Sequence, residues 1–243
     1  MPLPHKSSGI DLRGLLTDNR AALQPDWLLW QLADSAFPTG GFAHSSGIEA
    51  AWHHGELRNS SELASFVDAS LRQFGHSSLP FTIAAHAEPA QLIELDLLCE
   101  SFTLNHVANR ASRSQGRALL ASAERIFALP ELQALRAGQP QQPPCCHLAP
   151  MFGVVARSLD LGCVTTCRLF LFLHLRGLSA SAVRLGVIGP LAAQTLQHSF
   201  GARAEEIIDS CQNLSIDEIA QTSPLLELWQ GTQDRLYSRL FQS

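Results

Sequence analysis

The sequence predicts an all-α fold, a single-domain helical bundle of roughly ten helices. Three observations predict it. Apolar residues recur at spacings of about three and four over most of the chain, which is the rhythm of one helix face. No stretch shows sustained alternation of period two, so no strand is expected. Two segments in the second half are apolar nearly all round the helical wheel, and a helix without a polar face belongs in the middle of a bundle. At 243 residues the chain is long enough for one large core, and no fixed-period repeat divides it.

Residues 1–24 carry Pro, Ser and charge without periodicity and read as a flexible N-terminal arm, so folding begins near Pro25 and one domain spans 25–243. In "LADSAFPTGGFAHSSGIEAAW", Pro38 ends a helix, Gly40 and Gly41 supply a turn, and the chain re-enters a helix near Phe42. "NSSELASFVDASLRQF" places Leu63, Phe66, Val67, Leu71 and Phe74 on one face, with Asn59 as N-cap and Glu62 three residues on. "PAQLIELDLLCESFTLNHVA" carries Leu92, Leu95, Leu98, Phe102 and Val107 in the same rhythm, and "RSQGRALLASAERIFAL" continues it in a further helix. Four prolines between residues 140 and 150 make "LRAGQPQQPPCCHLAP" an exposed loop. "MFGVVARSLDLG" and "TTCRLFLFLHLRGLSASAVRLG" are the segments without a polar face and form the core. Gly189-Pro190 opens the next helix, which Gly201 closes. Ser223-Pro224 opens the last one, whose stripe of Leu225, Trp229, Leu236 and Leu240 runs to the final residues.

Composition excludes several classes of function. Hydrophobic residues make up 46% and charged residues 16%, a thin polar surface that favours buried partner contacts. A net charge of -5, with Lys6 the only lysine, argues against nucleic-acid binding, which needs clustered cations to displace counterions. The run Leu169 to Leu175 is bracketed by Arg168 and Arg176 and falls far short of the roughly 20 residues a bilayer requires. The first twenty residues contain no apolar secretory core, so the six cysteines are expected as reduced thiols in a cytoplasmic protein.

Motifs for chemistry are weak. Around Gly40-Gly41 no lysine completes a phosphate loop, and Ala43 stands where a nucleophile elbow centred on Ser45 needs glycine. Cys145-Cys146-His147 offers soft and borderline ligands for Zn, Ni or Cu, although adjacent cysteines seldom present both sulfurs to one tetrahedral ion. Cys163 and Cys167 are expected to pack as small hydrophobes, His53-His54 to sit at a helix end, and His174 to be a core residue with its polar atoms satisfied. Arg235 and Arg239, one helical turn apart, frame Tyr237, the only tyrosine, in an edge of the composition that interface anchors favour.

Several of these stretches, taken in order, resemble the UreF-type urease accessory proteins, in their plant-like branch. The resemblance rests on "LLWQLADSAFPTGGFAHSSGIEAAW", "NRASRSQGRALL", "HLAPMFGVVARSLDL", "SASAVRLGVIGPLAAQ" and the terminal "LYSRLFQS", and spans Trp27 to Ser243. It implies an all-helical, non-catalytic assembly factor that dimerises, binds a UreD/UreH-type partner and presents a platform to a UreG-type GTPase. Nickel would be handled by that complex and installed in apo-urease, with no cofactor held stably by this chain. Carried over by motif, Glu49, Arg184 and Arg239 are interface residues: Glu49 would accept from a partner's Arg or Lys, and the arginines would make charge-assisted bonds to a partner. The competing reading is enzyme-like, either a metal-dependent helical protein using Cys145, Cys146 and His147 or a GTPase activator inserting Arg184 or Arg239.

Overall fold

The computed structural model describes residues 25–137 and 145–243; the expected arm over residues 1–24 and the centre of the proline-rich loop lie outside the described residues. All regular structure among the described residues is helical. The first half runs through α1 (Pro25–Ala33), α2 (Ile48–His53), α3 (Ser60–Ser77), α4 (Leu79–Ala87), α5 (Leu92–Phe102), α6 (His106–Phe127) and α7 (Pro130–Ala137). The second runs through α8 (Leu148–Ser158), α9 (Cys163–Arg184), α10 (Pro190–Ser199), α11 (Gly201–Cys211) and α12 (Pro224–Gly231), with single 3₁₀ turns at Gly41–Ala43, Pro89–Gln91, Ile216–Glu218 and Gln233–Arg235.

The two helices that lack a polar face occupy the centre, as their pattern requires. α9 packs against α1, α2, α3, α4, α8, α10 and α11, and two of its buried hydroxyls are satisfied one turn back: Thr166 and Ser179 donate to the Gly162 and Leu175 carbonyls at 3.0 Å. α8 is buried without interruption from Ala149 through Ala156. Phe170 of α9 stands 4.6 Å from both Phe74 of α3 and Phe152 of α8, centroid to centroid, which ties the three helices through one aromatic cluster.

α4 and α8 approach closely enough to exchange polar bonds. Thr82 Oγ1 donates to the Ala149 carbonyl at 3.0 Å, and His86 Nε2 donates to the Leu161 carbonyl at 2.7 Å. That approach depends on Gly153: a Cβ there would lie 2.2 Å from the Thr82 carbonyl oxygen and 2.9 Å from the His86 nitrogen. Backbone cannot swing aside as a side-chain tip can, so the helices would have to part.

Several boundaries differ from the sequence expectation, each for a local reason. α1 stops at Ala33, ahead of Pro38, and the re-entry at Phe42 is one 3₁₀ turn, α2 proper starting only at Ile48. Val107 belongs to α6 rather than to the helix of Leu92, because Asn105 caps α6 by accepting the Val107 and Ala108 N–H groups at 3.0 and 3.3 Å. Asn59 caps α3 as expected, but Glu62 reaches back to the Arg58 N–H at 2.6 Å, one residue beyond the usual capping box. Gly201 opens α11 instead of closing α10, since Phe200 keeps a right-handed helical conformation and lets the two follow directly. The proline-rich loop is narrower than its composition suggests: Leu135 to Ala137 end α7, and Pro150 sits in the first turn of α8, where its missing N–H costs nothing. The last helix ends at Gly231, so Leu236 and Leu240 do not share its stripe.

Gly153→Ala is expected to destabilise the fold by about 2–3 kcal/mol through overpacking, a fall of roughly 5–10 °C in Tm. A thermal melt within a degree of the wild type would show that the α4–α8 approach does not matter.

A candidate docking site

The residues singled out between Pro38 and Glu49 meet those of the C-terminal segment at one end of the bundle. Pro38 is tied to α6, its carbonyl accepting Ser122 Oγ at 2.9 Å. Gly40 adopts a left-handed φ of 73°, which turns the chain into Gly41–Ala43 and is open to glycine at little cost. The opening stretch is thus an elbow, and what it shapes is a seat for residues 240–243.

Glu49, in the first turn of α2, is fully buried. Its Oε1 accepts the Leu240 N–H at 2.5 Å, and its Oε2 accepts the Phe241 N–H at 3.2 Å and the Gln233 side-chain amide at 2.5 Å. Around it the Gln242 N–H donates to the Ala43 carbonyl at 2.8 Å, the Ser45 N–H donates to the Ser243 oxygen at 2.6 Å, and the His44 ring bonds the Ser243 hydroxyl. Where the sequence expects Glu49 to meet a partner's cation, the structure encloses its carboxylate among donors of its own chain. Burial, then the Arg110 charge, pushes the His44 imidazole down, favouring its neutral form.

Arg184, the last residue of α9, donates to the Phe42 carbonyl and lies over the Phe241 ring at 4.1 Å from its centroid. It clamps elbow and tail together and adds a cation–π contact. Arg239 pairs with Asp234 at 2.9 Å, which Arg110 also grips with both terminal nitrogens and His106 approaches at 3.3 Å. The Arg110 guanidinium bonded to Asp234 holds its carboxyl below the usual carboxylate range. Arg235 and Arg239 are not one helical turn apart: the first ends the Gln233–Arg235 turn, Leu236 turns to extended backbone, and the second lies in irregular chain. Tyr237 is 107% exposed and Leu240 60%, and Phe42 of the elbow is 76% exposed.

Cys145, Cys146 and His147 lie apart from this face, against α5 and α6. Asp96, which sequence reasoning missed as one of many helix-face acids, accepts the Cys146 and His147 N–H groups at 2.8 and 2.7 Å. The buried His147 ring is 3.1 Å from Ser112 Oγ and 2.7 Å from Glu100 Oε2, while Ser112 Oγ accepts the Leu148 N–H at 3.0 Å. Glu100, a carboxylate that can only accept, takes a hydrogen bond from Nε2. Both ring nitrogens are engaged, and burial pushes the Cys145 and Cys146 thiols up, away from the thiolate a metal needs. Among the described residues no group of three or more His, Cys, Asp or Glu is placed to hold a metal ion. The motif works as an anchor that brings the chain into α8.

Between elbow and core lies a cavity of about 320 Å³, walled in part by Gln73, Phe74, Cys99, Ser112, His174 and Arg176. His174 stacks on Phe74 at 4.1 Å and bonds Ser70 Oγ at 2.9 Å, and burial pushes its pKa down to about 4.

Comparison with known proteins gives a consistent result. A family model described as UreF matches residues 57–201. A urease accessory protein F of Oryza sativa subsp. indica is 41% identical over 219 residues, covering 88% of this chain and 84% of the rice protein. The urease accessory protein F of Arabidopsis thaliana is 36% identical over 237 residues, 96% of this chain and 99% of its own length. A urease accessory protein UreF of an Arthrobacter strain is 31% identical over 215 residues, 88% of this chain and 96% of its own.

His174 makes stability pH-dependent with a definite sign. Its folded pKa of about 4 lies below the ordinary 6.5, so between those values the unfolded chain binds a proton that the folded chain refuses. The contribution is complete above pH 6.5 and is lost as pH falls toward 4. Between pH 7 and 4.5 the wild type should lose about 1–3 kcal/mol more than His174→Gln in urea unfolding. His44 leaves the variant some residual slope. Equal losses in the two proteins would refute the assignment.

Proposed function

The chain belongs to the UreF family of urease accessory proteins, and from that premise we propose that it is a non-catalytic scaffold for urease maturation. It binds a UreD/UreH-type protein, dimerises within the complex, and presents a platform to a UreG-type GTPase, so that nickel reaches apo-urease as cargo of the assembly and not as a resident cofactor of this chain. The observation that carries the reading is the face built by elbow and tail. Tyr237, Leu240 and Phe42 stand in solvent over buried hydrogen bonds, and Arg239, Arg110 and His106 gather around Asp234 in the same C-terminal region, with Arg235 exposed next to it in sequence. Exposed aromatic and apolar side chains on a rigid base, with arginine at the rim, are the composition of an interface anchor, and the cationic rim fits an acidic partner surface.

The enzyme-like alternatives find less support. His147 has both nitrogens occupied, and Arg184 is committed to Phe42 and Phe241, which leaves Arg239 as the arginine that an activating role would use. We place the protein in the cytoplasm, where its six unpaired cysteines remain thiols; no helix among the described residues is long and apolar enough to cross a membrane.

The test is copurification with UreD/UreH-type and UreG-type proteins, followed by nickel-dependent urease activation. Wild type should form the complex and show no turnover alone. Tyr237→Ala should weaken assembly by about 2 kcal/mol, roughly thirtyfold, with its melting temperature unchanged because the side chain touches nothing in the fold. Arg239→Ala should weaken assembly while GTP hydrolysis per assembled complex stays constant; a fall in that rate would favour the activating role. A wild-type chain that captures neither partner defeats the reading.

A further inference from the structure

We propose that Glu49 is a positioning residue: a buried latch that holds the C-terminal segment on the elbow and so builds the docking face, without touching the partner itself. The inference rests on the docking reading above for its consequence, and on the geometry alone for the latch.

Glu49 is enclosed, with no exposed surface, and all three of its donors come from residues 233–241. None of the three is a charged side chain. A carboxylate is acceptor-only, and a buried one must have its lone pairs met; here the tail meets them. Peeling residues 240–243 away would strip Glu49 of both of its backbone partners and leave it the Gln233 amide alone. The remainder of the seat is less complete. Ser45 Oγ and Gln233 Oε1 are buried without a hydrogen-bond partner among the described residues, and of the last four side chains only those of Phe241 and Ser243 are buried. The Gln242–Ala43 and Ser45–Ser243 backbone bonds hold the outer tail, and an acceptor at position 49 is what meets the Leu240 and Phe241 amides. Changing Glu49 to Gln keeps the shape but turns an N–H₂ group toward backbone N–H donors.

The experiment measures amide hydrogen exchange at Leu240, Phe241 and Gln242 together with affinity for the UreD/UreH-type and UreG-type proteins, in wild type, Glu49→Gln and Leu240→Pro. The proline variant removes one donor from an exposed position and leaves Glu49 intact, so it carries the test if Glu49→Gln fails to fold. In wild type the Leu240 and Phe241 amides should exchange slowly. In each variant the tail amides that remain should lose at least about tenfold protection, while α9 amides keep theirs, and partner affinity should fall at least tenfold. Adding Tyr237→Ala to Glu49→Gln should cost less than the product of the two single losses, because both act through one segment. Unchanged tail protection in Glu49→Gln overturns the latch. Lost affinity with the tail still protected, or losses that multiply, would mean Glu49 meets the partner directly; a released tail with wild-type affinity would equally overturn the proposal. Should the wild type bind neither partner, the docking reading fails on its own, and the exchange data still decide the latch.

Discussion

The structure depends on one constraint: α8 and α9 have no polar face and must be covered on every side. Their burial drives the architecture, since a segment such as "LFLFL" loses apolar surface to water only if other helices surround it. The surrounding helices need only one apolar stripe each, which is the pattern that α3, α6 and α11 show. Close packing follows, and Gly153 lets the backbones of α4 and α8 meet as Gly116 lets α6 meet the residues leading into α8.

Covering a core this completely traps polar groups, and the molecule uses them as ties between distant parts of the chain. His86 holds the start of the turn after α8 to α4. Asp96, Ser112, Glu100 and His147 draw the residues leading into α8 onto α5 and α6. Gln73 accepts the Ser223 N–H and so brings the start of α12 against α3. Glu49 does the same for the last residues of the chain. In each case a buried side chain satisfies backbone groups that form no helical bond, which is how irregular chain can be buried at all.

That division accounts for the character of the proposed docking face. Its base is buried and hydrogen-bonded, while its outward groups, Tyr237 above all, have no role in the fold. A surface of this kind presents binding groups in a fixed arrangement and loses little order when a partner arrives. Residues Cys145 to His147, by contrast, are held against α5 and α6 through Asp96, Glu100 and Ser112, away from this face.

By itself the sequence determined the all-α class, the central place of the two apolar helices, the Asn59 cap and the family, because periodicity, caps and ordered motif blocks are local properties that a linear chain displays directly. It also marked Glu49, Arg184 and the terminal arginines as worth attention. Only the tertiary structure decided what those residues do. Glu49 reads as a surface acid from its neighbours, and its burial arises from donors 184 to 192 residues further along the chain. The last helix, likewise, carries a stripe that ought to continue through Leu236 and Leu240, yet it stops at Gly231, and the Leu240 and Phe241 amides bond a carboxylate far away in sequence. Asp96 and Ser112 were invisible for the same reason: a hydrogen bond across the fold leaves no mark on local pattern, since it is set by which surfaces meet and not by which residues are neighbours.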